Sequence, residues 1–223
     1  MNIKLTLNYS PNFNPKKRKA SQIKFIIFHY TGMTTDSASL NRLTNTQSEV
    51  SSHYLIKNNG EVVMMVPDLY IAWHAGKSYW KNFKSLNKNS IGIEISNPGH
   101  NLRYKKFSKK QVQSILKISK FLIRKYKIKK KNILGHSDIA PNRKKDPGEK
   151  FIVKKLGIER FNFHQRKKFS INRLLKFYGF SQNYIKIHKA DCIKAVKRSL
   201  NYKTIDSSVS KNFKNKFNNL LFK

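Results

Sequence analysis

A single cysteine, Cys192, stands in the 223 residues. No disulfide can therefore close within the chain, and a zinc site built from clustered thiolates is excluded. Any metal must be held by histidine and carboxylate. Long hydrophobic runs are missing too: nothing approaches the ~20 apolar residues that span a bilayer. The longest compact apolar run, Phe25 to Phe28, is far shorter than the core of a signal peptide, and Met1 to Asn14 is polar and aromatic. There is no internal repeat and no low-complexity tract beyond a bias toward Lys and Asn. Acidic residues are scarce, 11 Asp and Glu against 47 Lys and Arg, for a formal net charge of +36.

That charge would attract any polyanion, whether nucleic acid, an anionic membrane surface or an acidic wall polymer. The lysines, however, run along the whole chain among Asn, Ile and Phe, a compositional bias more than a binding stripe, so no specific nucleic-acid partner is expected. A hydrophobic fraction of 39%, with 15 Phe and 10 Tyr, supplies enough apolar surface for a soluble globular protein. The length suits one main domain and one small one.

Lys24 to Phe28 is β-rich and reads as a buried central strand with His29 at its carboxyl end, before a Tyr30-Thr31-Gly32 turn. Leu40 and Leu43 give Ser37 to Thr46 a helical spacing. Ser52 to Lys57 and Glu61 to Val66 flank Asn58-Asn59-Gly60 as a hairpin. Ser90 to Ser96 alternates as a strand that ends at Asn97-Pro98-Gly99, which leaves Glu94 as an acid in an apolar strand. Ser108 is the N-cap of a helix running to about Tyr126. Asn132 to His136 is a short strand, and Ser137 to Gly148, with two prolines and no apolar period, reads as a loop; polar loops often carry sites. Beyond Gly157, Glu159 to Lys168 is polar, and amphipathic segments follow near Ile171–Tyr178, Asp191–Leu200 and Ser208–Leu221.

Zinc hydrolases commonly use three protein ligands and leave a fourth position for water, whose pKa falls to about 7. His29, His136 and Asp146 offer such a set. Taken singly, a histidine at a strand end is more often an ordinary packed or surface group than a ligand. Outside any motif Glu94 reads better as a charge guarding an edge strand, and Lys144 as one more loop lysine.

Whole motifs in order change this. Gly135-His-Ser-Asp-Ile-Ala-Pro141 followed by Arg143-Lys-Lys-Asp-Pro-Gly148 resembles the zinc loop of the type 2 N-acetylmuramoyl-L-alanine amidases of the AmpD and AmiD kind. The resemblance continues in family order through Phe28-His-Tyr-Thr31, Ser52-His-Tyr-Leu-Ile56, Ala72-Trp-His-Ala-Gly76 and Ser90-Ile-Gly-Ile-Glu-Ile95, and covers nearly all of residues 24–148. It implies an α/β fold with a mixed central β-sheet flanked by helices. It makes His29, His136 and Asp146 the ligands of one Zn2+ ion, Glu94 the catalytic acid/base and Lys144 the oxyanion stabiliser. His53, Trp73, His74 and Asn97 lie in family-like segments and are candidates for substrate binding, with a structural role as the alternative for each. Asp138 either orients a ligand imidazole or caps the loop.

The resemblance implies hydrolysis of the amide joining the muramic acid lactyl group to L-alanine, with peptidoglycan fragments or cell wall as partner and a monomeric chain. The C-terminal segment, from Leu174-Leu-Lys-Phe-Tyr-Gly-Phe180 onward, resembles a three-helix peptidoglycan-binding module. The expected organisation is an amidase domain over 1–158, a linker over 159–168 and a small helical domain over 169–223. Without a signal peptide or lipobox the expected location is cytoplasmic, with contact to periplasmic wall as the alternative. Two rival functions stand beside the enzyme: a non-catalytic peptidoglycan-recognition protein, which typically loses a metal ligand, and a basic nucleic-acid binder.

Overall fold

The computed structural model describes residues 4–152, 156–157 and 169–221. In chain order the strands are β1 (Thr6–Leu7), β2 (Phe13–Asn14), β3 (Phe25–Phe28), β4 (Tyr54–Ile56), β5 (Val62–Met64), β6 (Ile71–Ala72), β7 (Tyr79–Trp80), β8 (Phe83–Lys84), β9 (Ser90–Ile95) and β10 (Ile133–Gly135). The helices are α1 (Asp36–Thr44), α2 (Lys109–Tyr126), α3 (His136–Ile139), α4 (Ile171–Tyr178), α5 (Gln182–Ser199) and α6 (Lys211–Leu221).

Six strands form a mixed sheet in the order β1-β5-β4-β9-β3-β10. Only β4 and β5 pair antiparallel, as the Asn58-Asn59-Gly60 turn requires; the other pairs are parallel. The apolar strands β3 and β9 lie inside this sheet, covered on both faces, which is why β3 reads as unbroken Phe-Ile-Ile-Phe rather than as an alternating strand. Ile26 and Phe28 pack with Ile91, Ile93 and Ile95 against Ile115, Ile118 and Leu122 of α2. Phe25 and Ile27 point the other way, into a core shared with Leu174, Tyr178, Phe213 and Phe217 of the C-terminal helices.

α2 begins where the sequence places it. The Ser108 hydroxyl accepts from Gln111 N, and the Gln111 side chain answers to the Ser108 backbone. α5 is longer than the segment from Asp191: it starts at Gln182 behind the Ser181 cap and is kinked at His188. The linker expected at 159–168 lies outside the described residues. Among the described residues no helix is long and apolar enough to cross a membrane.

Candidate metal centre and cleft

Three parallel strands end side by side at the site. Gly135, Phe28 and Ile93 are register partners across β10, β3 and β9. The next residue along the chain in each case is His136, His29 or Glu94, so the three form one row just past the rung shared by the three strands, with Glu94 still paired to Leu55 of β4. Side chains alternate along a strand, so His29 continues the face of Phe25 and Ile27, and Glu94 continues that of Ser90 and Gly92. Carboxyl ends of parallel strands are where open α/β sheets bind ligands.

Asp146 reaches this row because the chain after β10 folds back on itself. The sequence reading makes Ser137 to Gly148 a loop, but its first turn is the short helix α3. The Asp138 carboxylate accepts from Gly135 N at 2.8 Å and caps that turn. Ser137 N then donates to Asp146 O at 2.8 Å, drawing the two ends of the loop together. Gly135 is needed here, since a Cβ on it would lie 2.6 Å from Pro147 Cδ.

The three ligand candidates converge atom to atom. His29 Nδ1 lies 2.9 Å from His136 Nδ1 and 3.1 Å from Asp146 Oδ2, and His136 Nδ1 lies 3.0 Å from the same oxygen. All three residues are buried. Ligand atoms at tetrahedral angles around zinc, at bonds of about 2.0–2.1 Å, stand about 3.3 Å apart, slightly wider than this triangle.

The hydrogen bonds behind the triangle decide what it can hold. The carbonyl of Ala75 only accepts, so His136 carries a hydrogen on Nε2, 3.2 Å away, which in the neutral form of the ring leaves a bare Nδ1 lone pair toward Asp146. His29 Nε2 lies 3.0 Å from His74 Nδ1, and His74 Nε2 lies 3.2 Å from Ser90 Oγ, whose hydroxyl donates to Leu86 O. With His29 donating into this chain, its Nδ1 is bare as well. Two lone pairs and a carboxylate oxygen at such distances repel unless a cation lies among them. Two nitrogens and one oxygen suit zinc, whereas magnesium and calcium take oxygen sets. The residues present fit the metal.

Burial, and then His136, push His29 down to about 4 despite Asp146, so its imidazole is neutral near pH 7. In the metal-free site a ring N–H can face Asp146 instead: burial would raise its carboxyl, but charge and hydrogen bonds from His136 and His29 outweigh that and hold it well below the usual range.

These groups open into a cleft of about 500 Å³ that Glu94, Lys144 and Trp73 also line. Glu94 Oε2 is buried and has no hydrogen-bond partner among the described residues. Burial first and the charge of Asp146 second raise its carboxyl to about 8, with Lys144 opposing. β9 is a central strand, so Glu94 is not an edge charge. Lys144 is half-buried and Trp73 is 36% exposed.

His74 also borders the cleft, but its ring lies beneath His29, packed on Gly92, where a Cβ would come within 2.3 Å of it. His53 and Asn97 are not brought to the cleft. His53 is fully buried, accepting from Gly92 N on Nδ1 and facing Tyr70 O with Nε2. Asn97 is spent on its own turn, with its amide on Lys105 O and its oxygen on Gly99 N. Of the two readings of Asp138, the cap is the one observed.

Sequence reasoning missed Ser90, Gly92 and Arg143. Period-two alternation from Glu94 would have placed Ser90 and Gly92 on the site face. The Arg143 guanidinium donates to Ala75 O at 2.6 Å and Lys77 O at 2.7 Å, fixing the carbonyl that orients His136. No local signal marks that role.

A profile of the N-acetylmuramoyl-L-alanine amidase family matches residues 19–149. The chain is 39% identical over 142 residues to N-acetylmuramoyl-L-alanine amidase AmiD of Escherichia coli (strain K12), covering 58% of this chain and 50% of that protein. It is 42% identical over 102 residues to the 1,6-anhydro-N-acetylmuramyl-L-alanine amidase AmpD of the same organism, covering 46% and 54%. The chain thus spans about half the length of the curated relatives it matches. Among solved structures, the complex of E. coli AmiD with anhydro-N-acetylmuramic acid-L-Ala-D-gamma-Glu-L-Lys superposes with a TM-score of 0.75 at 29% identity, covering 89% of this chain and 88% of that one.

Proposed function

We propose, from the premise that the chain belongs to the N-acetylmuramoyl-L-alanine amidase family, that it hydrolyses the amide between the lactyl group of muramic acid and L-alanine in peptidoglycan or its muropeptides. The observation that carries this reading is the convergence of His29 Nδ1, His136 Nδ1 and Asp146 Oδ2 in one cleft beside a Glu94 oxygen that has no partner among the described residues. A recognition protein that only binds has no use for such a set.

His29, His136 and Asp146 would hold one zinc ion, which when bound supplies Lewis acidity toward the scissile carbonyl and acidifies water. Glu94 takes the proton of the attacking water on its free carboxyl oxygen and passes it to the departing L-alanine nitrogen. An acid raised by burial is suited to hold that proton between the two steps, and the positive metal acts in the opposite direction. Lys144 places an ammonium group on the cleft wall, where charge grows on the carbonyl oxygen. Trp73 offers an aromatic face at the rim to the sugar or the stem peptide.

The test is cleavage of a muropeptide by the zinc-loaded chain, read as a new amino terminus on L-alanine. Glu94→Gln should keep the metal and lose turnover; full activity in that variant sinks the mechanism.

A further inference from the structure

The C-terminal helices grip the segment that carries two of the three ligand candidates, and they do so at three places. Tyr178, fully buried in α4, sets its hydroxyl 2.7 Å from Asp138 Oδ1, and its oxygen also lies 2.7 Å from Ser199 Oγ of α5. Asp138 uses its other oxygen to cap the turn that begins at His136. Asn201, just past α5, donates its side-chain amide to the carbonyls of Glu149 and Phe151, each at 2.6 Å. Tyr184 Oη lies 2.8 Å from Asn142 Oδ1, midway along the loop.

The grips fall close to both ligands: Asp138 stands two residues after His136, and Glu149 three residues after Asp146. Apolar packing backs them, since Leu134 of β10 and Ile139 of α3 belong to one core with Leu174, Tyr178, Ile193 and Phe217. On the far side Lys81 N donates to Gly179 O, and Trp80 lies edge-on to Tyr178. The segment is largely buried although it has few apolar side chains, and part of what covers it is the helices that follow it in the chain.

We propose that the three C-terminal helices act as a brace for the metal loop, with Tyr178 and Asn201 as positioning residues that hold His136 and Asp146 at the ligand spacing. The proposal rests on the metal reading above, but it assigns the helices a task on the amidase site itself and does not depend on glycan binding by them. Removing a hydrogen bond to a buried carboxylate, or two to buried carbonyls, should loosen the loop without unfolding the chain.

Three full-chain variants test this. Tyr178→Phe removes one hydroxyl. Asn201→Gly removes the side-chain amide while keeping the left-handed backbone (φ 55) accessible. Phe213→Leu weakens the same helical core away from the loop. Tyr178→Phe and Asn201→Gly should each release zinc to excess chelator faster by on the order of tenfold. Amides of 136–148 should exchange faster in both, whereas Phe213→Leu should match wild type in both measures despite a lower Tm. Wild-type release and exchange in the two positioning variants, or loss that tracks Tm across all three, overturns the brace. Exchange read with and without zinc separates the failures: a wild-type chain that takes up no zinc sinks the metal reading, while unchanged exchange in the variants sinks the brace.

Discussion

His29 Nε2 and His74 Nδ1 lie 3.0 Å apart, and only one of the two nitrogens carries a hydrogen. With Ser90 Oγ 3.2 Å from His74 Nε2 and its own hydrogen spent on Leu86 O, the hydrogen belongs to His29. His29 Nδ1 is thereby left free to coordinate. Burial first, and then the neighbouring His29, hold His74 well below its ordinary pKa, which keeps it a neutral acceptor. His74→Phe keeps a ring on Gly92 but removes the acceptor. It should weaken zinc by about 10- to 100-fold in chelator competition, with a smaller loss for Ser90→Ala. Unchanged affinity in His74→Phe would mean that the tautomer of His29 is set elsewhere.

Glu94→Gln replaces an acid that has no partner on Oε2 among the described residues with an amide of nearly the same shape. Zinc content should stay at one per chain while kcat falls by about 10²- to 10⁴-fold, the usual contribution of a positioned acid/base. Metal analysis on the same preparation separates this from loss of the ion.

Lys144 and Trp73 border one cleft but should fail differently. Lys144→Met removes charge that counts only when the oxyanion forms, so kcat should fall by about 10²- to 10³-fold with KM nearly unchanged. Trp73→Ala removes an exposed contact surface, and should raise KM with kcat preserved. Steady-state kinetics on one muropeptide distinguishes the two.

The metal-free chain should lose stability as pH falls below neutral. Burial first and Arg18 second depress His53 to about 3 in the folded state, from an ordinary 6.5. The unfolded chain therefore takes up the proton at a higher pH, so the contribution is whole above about pH 6.5 and is lost as pH falls toward 3. His53→Asn, whose oxygen can still accept from Gly92 N, should flatten the slope of unfolding free energy against pH by about one proton, or about 1.4 kcal/mol per pH unit. Denaturant titrations between pH 7 and 4.5 measure it.

Much of the site was legible in the sequence because its chemistry is local. The runs around His29 and Glu94 carry their own strand signals, and the loop from Gly135 to Gly148 carries His136 and Asp146 together. What joins them was not legible, since the row of His136, His29 and Glu94 depends on β3 pairing with two strands far away in the chain, His136 alone standing 107 positions from His29. For His53 and Asn97 the geometry matches the structural alternative. Their polar side chains satisfy nearby backbone groups, and a motif does not say which way a side chain faces. α3 was missed because its cap, Asp138 on Gly135 N, stabilises a single turn too short to show an apolar period. The contact of Tyr178 with Asp138 spans 40 residues and leaves no periodic trace.

The most direct test follows one preparation of the full chain through removal and return of zinc, while the free amino group of L-alanine released from a muropeptide is counted. The lactyl-alanine bond should be cut by the chain with one zinc bound, not cut after chelation, and cut again when one equivalent of zinc is restored. Cleavage that persists in the chelated chain, or a zinc-loaded chain that leaves this bond intact, would contradict the assignment.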